Sequence, residues 1–174
     1  MAPARRRLAR VARIGLVVAV AAFAGIQLVP YGRSHDNPPV FADAPWPDAA
    51  SRELARGACY DCHSDEAEWP WYSWIAPMSW LVQRDVDDGR DELNFSRWDA
   101  DRGPHDAEDA AEVVAEGGMP PRQYQFVHPA ARLSDAERDQ LVAALAQMAG
   151  EDRSGEDGDD RRRDDRSGSN SGPG

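Results

Sequence analysis

From Ile14 to Val29 every residue is apolar or small except Gln27, and five arginines (Arg5, Arg6, Arg7, Arg10, Arg13) precede the run. Extended through Tyr31 as a helix, the run is roughly 27 Å long, close to the hydrocarbon thickness of a bilayer. A buried core helix has no use for an upstream arginine cluster. The expectation is a membrane-crossing anchor at residues 1–33, with its arginine end in the cytoplasm and everything after Gly32 exported. Ala22-Phe23-Ala24 before Gly25 also fits a small-x-small cleavage site, so a signal peptide is the alternative. The apolar run continues past that site through Ile26, Leu28 and Val29, which favours the uncleaved anchor. Either way the rest of the chain is exported.

Charge divides the remainder. Residues 1–33 hold six arginines and no acid; residues 34–148 hold 23 acids against 9 arginines; residues 149–174 hold 8 acids against 5. There is no lysine, and the net charge is −11. The low pI argues against nucleic acid as a partner, because phosphate binding needs clustered positive charge. Two cysteines in 174 residues cannot build a disulfide scaffold.

Residues 34–47 contain Pro38, Pro39, Pro45 and Pro47 and are expected to be an extended tether. Asp48 to Ala58 is expected to be a short helix capped by Asp48. Trp69 to Leu81 is aromatic and broken by proline. Asp106 to Glu116 is expected to be a helix ended by Gly117-Gly118. Ser134-Asp135-Ala136-Glu137 fits a capping box, opening a helix whose Leu141, Leu145 and Met148 form an apolar stripe. The domain expected from these parts is all-α, spans residues 48–149, and is succeeded by a disordered acidic and Arg-rich tail at 150–174.

The chemistry is carried by Cys59-Tyr60-Asp61-Cys62-His63. C-x-x-C-H is the attachment pattern of c-type haem. Two thiols three positions apart on a helical turn can each add to one haem vinyl group, and the next side chain then reaches the iron through an imidazole nitrogen. A redox-active Cys pair belongs after a strand, and a zinc site needs a fourth ligand. A disulfide closing so small a loop gains little. One covalently attached haem c is therefore the expected cofactor, with Cys59 and Cys62 as its thioether positions and His63 as proximal iron ligand.

The sixth ligand has several candidates: Met78, Met119, Met148, His35, His105 and His128. Met119 stands in Gly117-Gly118-Met119-Pro120-Pro121, where glycines allow a tight turn and the two prolines stiffen the loop. It is the expected distal ligand, with His128 in His128-Pro129 as the alternative. Thioether ligation raises the potential of a haem, and two filled axial positions disfavour substrate binding. That points to electron transfer; a peroxidase, or a redox or gas sensor, is the alternative. Trp69, Trp71, Tyr72, Trp74 and Trp80 are expected to be core or a wall beside the haem. Arg84, Arg90 and Arg97 are candidate propionate partners.

Three ordered blocks resemble the bacterial haem-binding domain proteins. They are Cys59-Tyr60-Asp61-Cys62-His63-Ser64, Trp69-Pro70-Trp71-Tyr72-Ser73, and Gly89-Arg90 through Leu93-Asn94-Phe95-Ser96-Arg97-Trp98. Gly118-Met119-Pro120-Pro121 and His128 to Ser134 fit the same pattern, so the resemblance covers roughly residues 26–148. It implies a membrane-anchored, single-haem domain of the cytochrome c type, with Cys59 and Cys62 carrying thioether links and His63 as proximal ligand. The acidic surface, without the basic docking face of familiar soluble cytochromes, implies a redox partner protein that brings a basic patch.

Overall fold

The computed structural model describes residues 2–150; the tail expected to be disordered lies outside the described residues. All regular structure among the described residues is helical, and two backbone segments meet only in an isolated bridge, Ala42 with Arg97. The all-α expectation holds. The helices are α1 (Ala2–Ile26), α2 (Ala49–Ala58), α3 (Tyr60–His63), α4 (Met78–Glu92), α5 (Gly103–Ala115), α6 (Arg122–Val127) and α7 (135–150), with short 3-10 turns at Trp71–Trp74 and Pro129–Ala131.

The chain forms two compact units. One is the chain up to Asp36 with Glu68–Asp87; the other is Asn37–Ala67 with the chain from Asp88 onward, the boundary falling inside α4.

In the first unit, α1 contains a segment from Arg5 to Ile26 that is long and apolar enough to cross a membrane, and none of it is buried. Its side chains are exposed from Arg5 to Gly25, so it is not a core helix. The aromatic segment differs from expectation. Trp71 and Trp74 are 76% and 56% exposed and belong to no core. The proline-broken stretch also contains the 3-10 turn and the start of α4.

In the second unit the core joins Tyr60, Leu93, Phe95, Ala107, Ala111, Val114, Leu141, Leu145 and Met148. Expected helix ends recur with their chemistry. Asp48 caps α2 by accepting from the Ser51 N–H at 2.8 Å. Ser134 and Glu137 bond reciprocally at the start of α7, as a capping box requires. Gly117 ends α5 with a φ of +75°, a conformation that glycine adopts without steric cost. α5 begins at Gly103, three residues before the expected start, because Pro104 is well suited to a helix's first turn.

The Pro-rich stretch is extended, but its second half is no free tether. Phe41 and Ala42 donate to the Ser96 carbonyl, Ala44 donates to that of Phe95, and Trp98 donates to that of Ala42. Trp46 packs on the core.

A buried carboxylate laces these segments together. Asp65 has a side chain only 1% exposed. It accepts from Arg97 Nε at 2.6 Å and Asn94 Nδ2 at 3.0 Å, and Arg90 Nε lies 3.7 Å away. Arg90 also donates to the Ser64 carbonyl. Arg90 and Arg97, candidate propionate partners from sequence, are thus engaged with residues of the chain. Removing the carboxylate leaves its donors without an acceptor. Asp65→Ala is expected to destabilise the protein by roughly 2–4 kcal/mol in urea unfolding, below the full cost of a broken buried pair because Arg97 is half-exposed.

Candidate functional site

α2 runs to Ala58, and Cys59 breaks its line with φ −127° and ψ −37°. The Cys59 N–H still donates to the Ala55 carbonyl at 2.7 Å. The Cys59 carbonyl accepts from both Cys62 N–H and His63 N–H, closing one new turn, α3. Cys59, Cys62 and His63 therefore share a single turn that continues directly from a longer helix. Tyr60 faces inward: it is 2% exposed, stacks on Phe95 at 5.4 Å and accepts from Trp46 Nε1 at 2.9 Å. That inward anchor fixes the turn's rotation, leaving both cysteines and His63 at intermediate depth.

His63 is oriented by the end of α4. Its Nδ1 lies 3.1 Å from the Leu93 carbonyl. A carbonyl can only accept, so Nδ1 carries the proton and Nε2 keeps its lone pair. Burial lowers the pKa of His63, with the Leu93 and Gly89 carbonyls opposing that shift, so the ring favours the neutral form a metal needs. The Phe95 N–H donates to the His63 carbonyl at 2.8 Å, fixing the backbone of the same pair of segments.

Gly89 lies against the motif. A Cβ there would stand 2.6 Å from the Cys62 carbonyl oxygen and 3.0 Å from Cys62 Cβ. Only glycine allows this approach.

Cys59 and Cys62 are not joined in a disulfide. Burial, and secondarily Cys62, pushes the Cys59 thiol up to about 12. A redox-active pair needs a thiol shifted the other way. No group of three or more His, Cys, Asp or Glu side chains converges among the described residues, so the zinc reading gains no support from geometry.

One residue that carries no sequence motif joins the site. The Tyr124 hydroxyl donates to Asp61 Oδ2 at 2.6 Å, tying α6 to the middle of the C-x-x-C turn. Burial first, and then the bond to Asp61, raises the Tyr124 pKa, so the phenol stays protonated and remains a donor. His128 stacks on Tyr124 with ring centroids 4.0 Å apart, its Nδ1 lying 3.2 Å from the Tyr124 carbonyl. The structure thus brings His128 to a residue that contacts the motif. Met119 stands just after the Gly117-Gly118 turn, whose N–H groups bond the last carbonyls of α5, and is 38% exposed. Met148 is core at 2% exposed, and the His35 ring packs against Trp69 and Trp74.

The donor set fits a haem iron: an oriented neutral imidazole beside two thiols on one turn. Val113, Met119, Phe126 and Val127 are among the apolar side chains of this unit that stay exposed. The chain belongs to the haem-binding domain family, whose model matches residues 21–147, and it is accordingly a haem-binding protein. No curated protein and no solved structure matches the chain.

Gly89→Ala is expected to displace Cys62 and reduce the haem recovered per chain severalfold, read by absorbance at equal protein. Gly57→Ala is the control. Its Cβ would stand 3.5 Å from the Ala130 carbonyl oxygen, an ordinary contact, so haem recovery should match the parent protein.

Proposed function

We propose that the protein is a membrane-anchored, single-haem c-type cytochrome that transfers one electron at a time. Cys59 and Cys62 hold the haem by thioether bonds, and His63 is the proximal ligand through Nε2. The observation that carries this reading is the bond between His63 Nδ1 and the Leu93 carbonyl, made beside two cysteines on the same turn. It sets the tautomer and aim of the ring before any metal arrives, as outer partners of metal-bound histidines do. Covalent links suit a small domain, because they retain the group without a deep enclosing pocket. Bound there, haem supplies a one-electron iron couple; the chain sets its potential and governs access to it.

Met119 is the proposed distal ligand. Its thioether is not spent in a core, and the Gly-Gly turn and flanking prolines restrict the loop that carries it. His128 is the alternative, since it stacks on Tyr124, whose hydroxyl bonds Asp61 in the middle of the C-x-x-C turn. With His63 and Met119 both holding the iron, no position would be left open to a substrate, which would favour electron transfer over peroxidase or gas-sensing chemistry.

α1 is proposed to span a bacterial cell membrane once, with its arginine end in the cytoplasm and the haem domain outside. This is the side on which c-type haem is attached. The acidic domain would favour a redox partner with a basic docking patch, and the anchor would raise the local concentration of partners in the same membrane.

Met119→Ala in the haem-loaded protein is expected to abolish the sulfur-to-ferric-iron charge-transfer band and lower the reduction potential, with the covalent haem retained. His128→Ala should leave the band in place. A parent protein that lacks the band, and whose ferric spectrum changes in His128→Ala but not in Met119→Ala, would transfer the distal role to His128; a band that survives in Met119→Ala would contradict the Met119 assignment.

A further inference from the structure

α1 ends at Ile26, and the next side chain, Gln27, grips a distant piece of backbone from two sides. Gln27 Nε2 donates to the Ala76 carbonyl at 2.9 Å, and the Ala76 N–H donates to Gln27 Oε1 at 3.0 Å. Arg33 donates to the same Oε1 at 3.2 Å. Ala76 is fully buried. Gly32, with φ +77°, lies so close to α4 that a Cβ would stand 2.2 Å from the Ser79 carbonyl oxygen. His35 completes the attachment: its Nε2 lies 3.1 Å from the Ser73 carbonyl, and its ring packs on Trp69 at 4.6 Å and Trp74 at 4.1 Å. These contacts fix the segment around Ala76 at the level where α1 ends.

That segment turns large apolar side chains outward. Trp71, Trp74, Ile75, Met78 and Leu81 are 76%, 56%, 40%, 41% and 48% exposed. Five such side chains within eleven positions, two of them tryptophan, form a patch rather than the scattered apolar residues of an ordinary wet surface. Leu28 and Val29, just beyond the end of α1, are exposed as well. The character changes along α4. Past Leu81 come Arg84, Asp85 and Asp87, and Asp87 accepts from the Tyr31 hydroxyl at 3.2 Å. Tyr31 lies four residues farther from α1 than Gln27. Gln27 thus ties the apolar end of the segment to the foot of the helix, Tyr31 holds its charged end, and His35, farther on, returns to the tryptophans.

Apolar at the helix end, tryptophan at the boundary and charge beyond is the polarity profile of a bilayer's edge, where indoles settle at the headgroup level. We propose that the face formed by Trp71, Trp74, Ile75, Met78 and Leu81 is seated in the interfacial layer of the bilayer that α1 crosses. The occupant is lipid, because the face is continuous with the foot of α1 and is held there by Gln27. The inference rests on the spanning reading of α1. It adds that the first unit meets the membrane through two surfaces, a crossing helix and an interfacial foot.

The test is photolabelling of the full-length haem-loaded protein in phosphatidylcholine nanodiscs. The discs contain a phosphatidylcholine with a carbene-generating diazirine near the glycerol end of one acyl chain. Label is mapped by peptide mass spectrometry. The expected result is label on α1 and on residues 71–81. Trp71→Glu with Leu81→Glu should cut label on 71–81 severalfold while α1 keeps its label; both side chains are exposed and neither belongs to the attachment through Gln27, Gly32 and His35. Label on α1 with 71–81 bare, as for a face reserved for a protein partner, overturns this proposal and leaves the spanning reading intact. Equal label on 71–81 in the double variant also overturns it. An unlabelled α1 contradicts the spanning reading, and this inference with it.

Discussion

The hydrogen bond from His63 Nδ1 to the Leu93 carbonyl is the contact on which the rest of the site depends. It arises from how a helix ends. α4 stops at Glu92, and carbonyls at a helix C-terminus have no partner within the helix. The imidazole supplies one. The Phe95 N–H returns a bond to the His63 carbonyl, and Gly89 one turn earlier admits Cys62 at close range. The C-x-x-C-H turn is thereby clasped to the end of α4, and the Asp65 network two residues later keeps residues 94–97 beside it.

This arrangement shows how so short a motif is held in place by residues distant from it in sequence. Tyr60 takes the inward position of the turn, and Cys59, Cys62 and His63 are partly buried beside it. Asp61, between the cysteines, is held by Tyr124 from α6. Tyr60 and Asp61, the two residues between the cysteines, thus tie the turn to Trp46, Phe95 and Tyr124. The Asn94-Phe95-Ser96 tripeptide, which reads as a glycosylation sequon, is occupied similarly: Asn94 bonds Asp65 and the Ser96 N–H, while Ser96 is fully buried.

How legible each element is in the sequence depends on how local its signal is. The caps at Asp48 and Ser134 need only their own neighbours, and both appear as expected. The stripe of Leu141, Leu145 and Met148 has helical period and is buried. α4 escapes a sequence reading because Pro77 precedes it, Gly89 interrupts it and four aspartates dilute its apolar pattern; packing carries it instead. α6 is six residues long, too short to show a period. The Asp61–Tyr124 bond joins positions 63 apart, which no local pattern reveals. The tryptophans are readable as a cluster, but their exposure depends on where α1 ends and on the Gln27 grip.

The most direct measurement of the central claim is the intact mass of the chain produced alongside cytochrome c maturation machinery, compared with Cys59→Ser, Cys62→Ser and His63→Ala. The account predicts a parent mass greater than that of the chain by one haem, and pigment that stays with the protein in acidified organic solvent. It predicts loss of that added mass when both cysteines are replaced, and altered iron ligation in His63→Ala. A colourless parent protein, or pigment that leaves with the solvent, would contradict it.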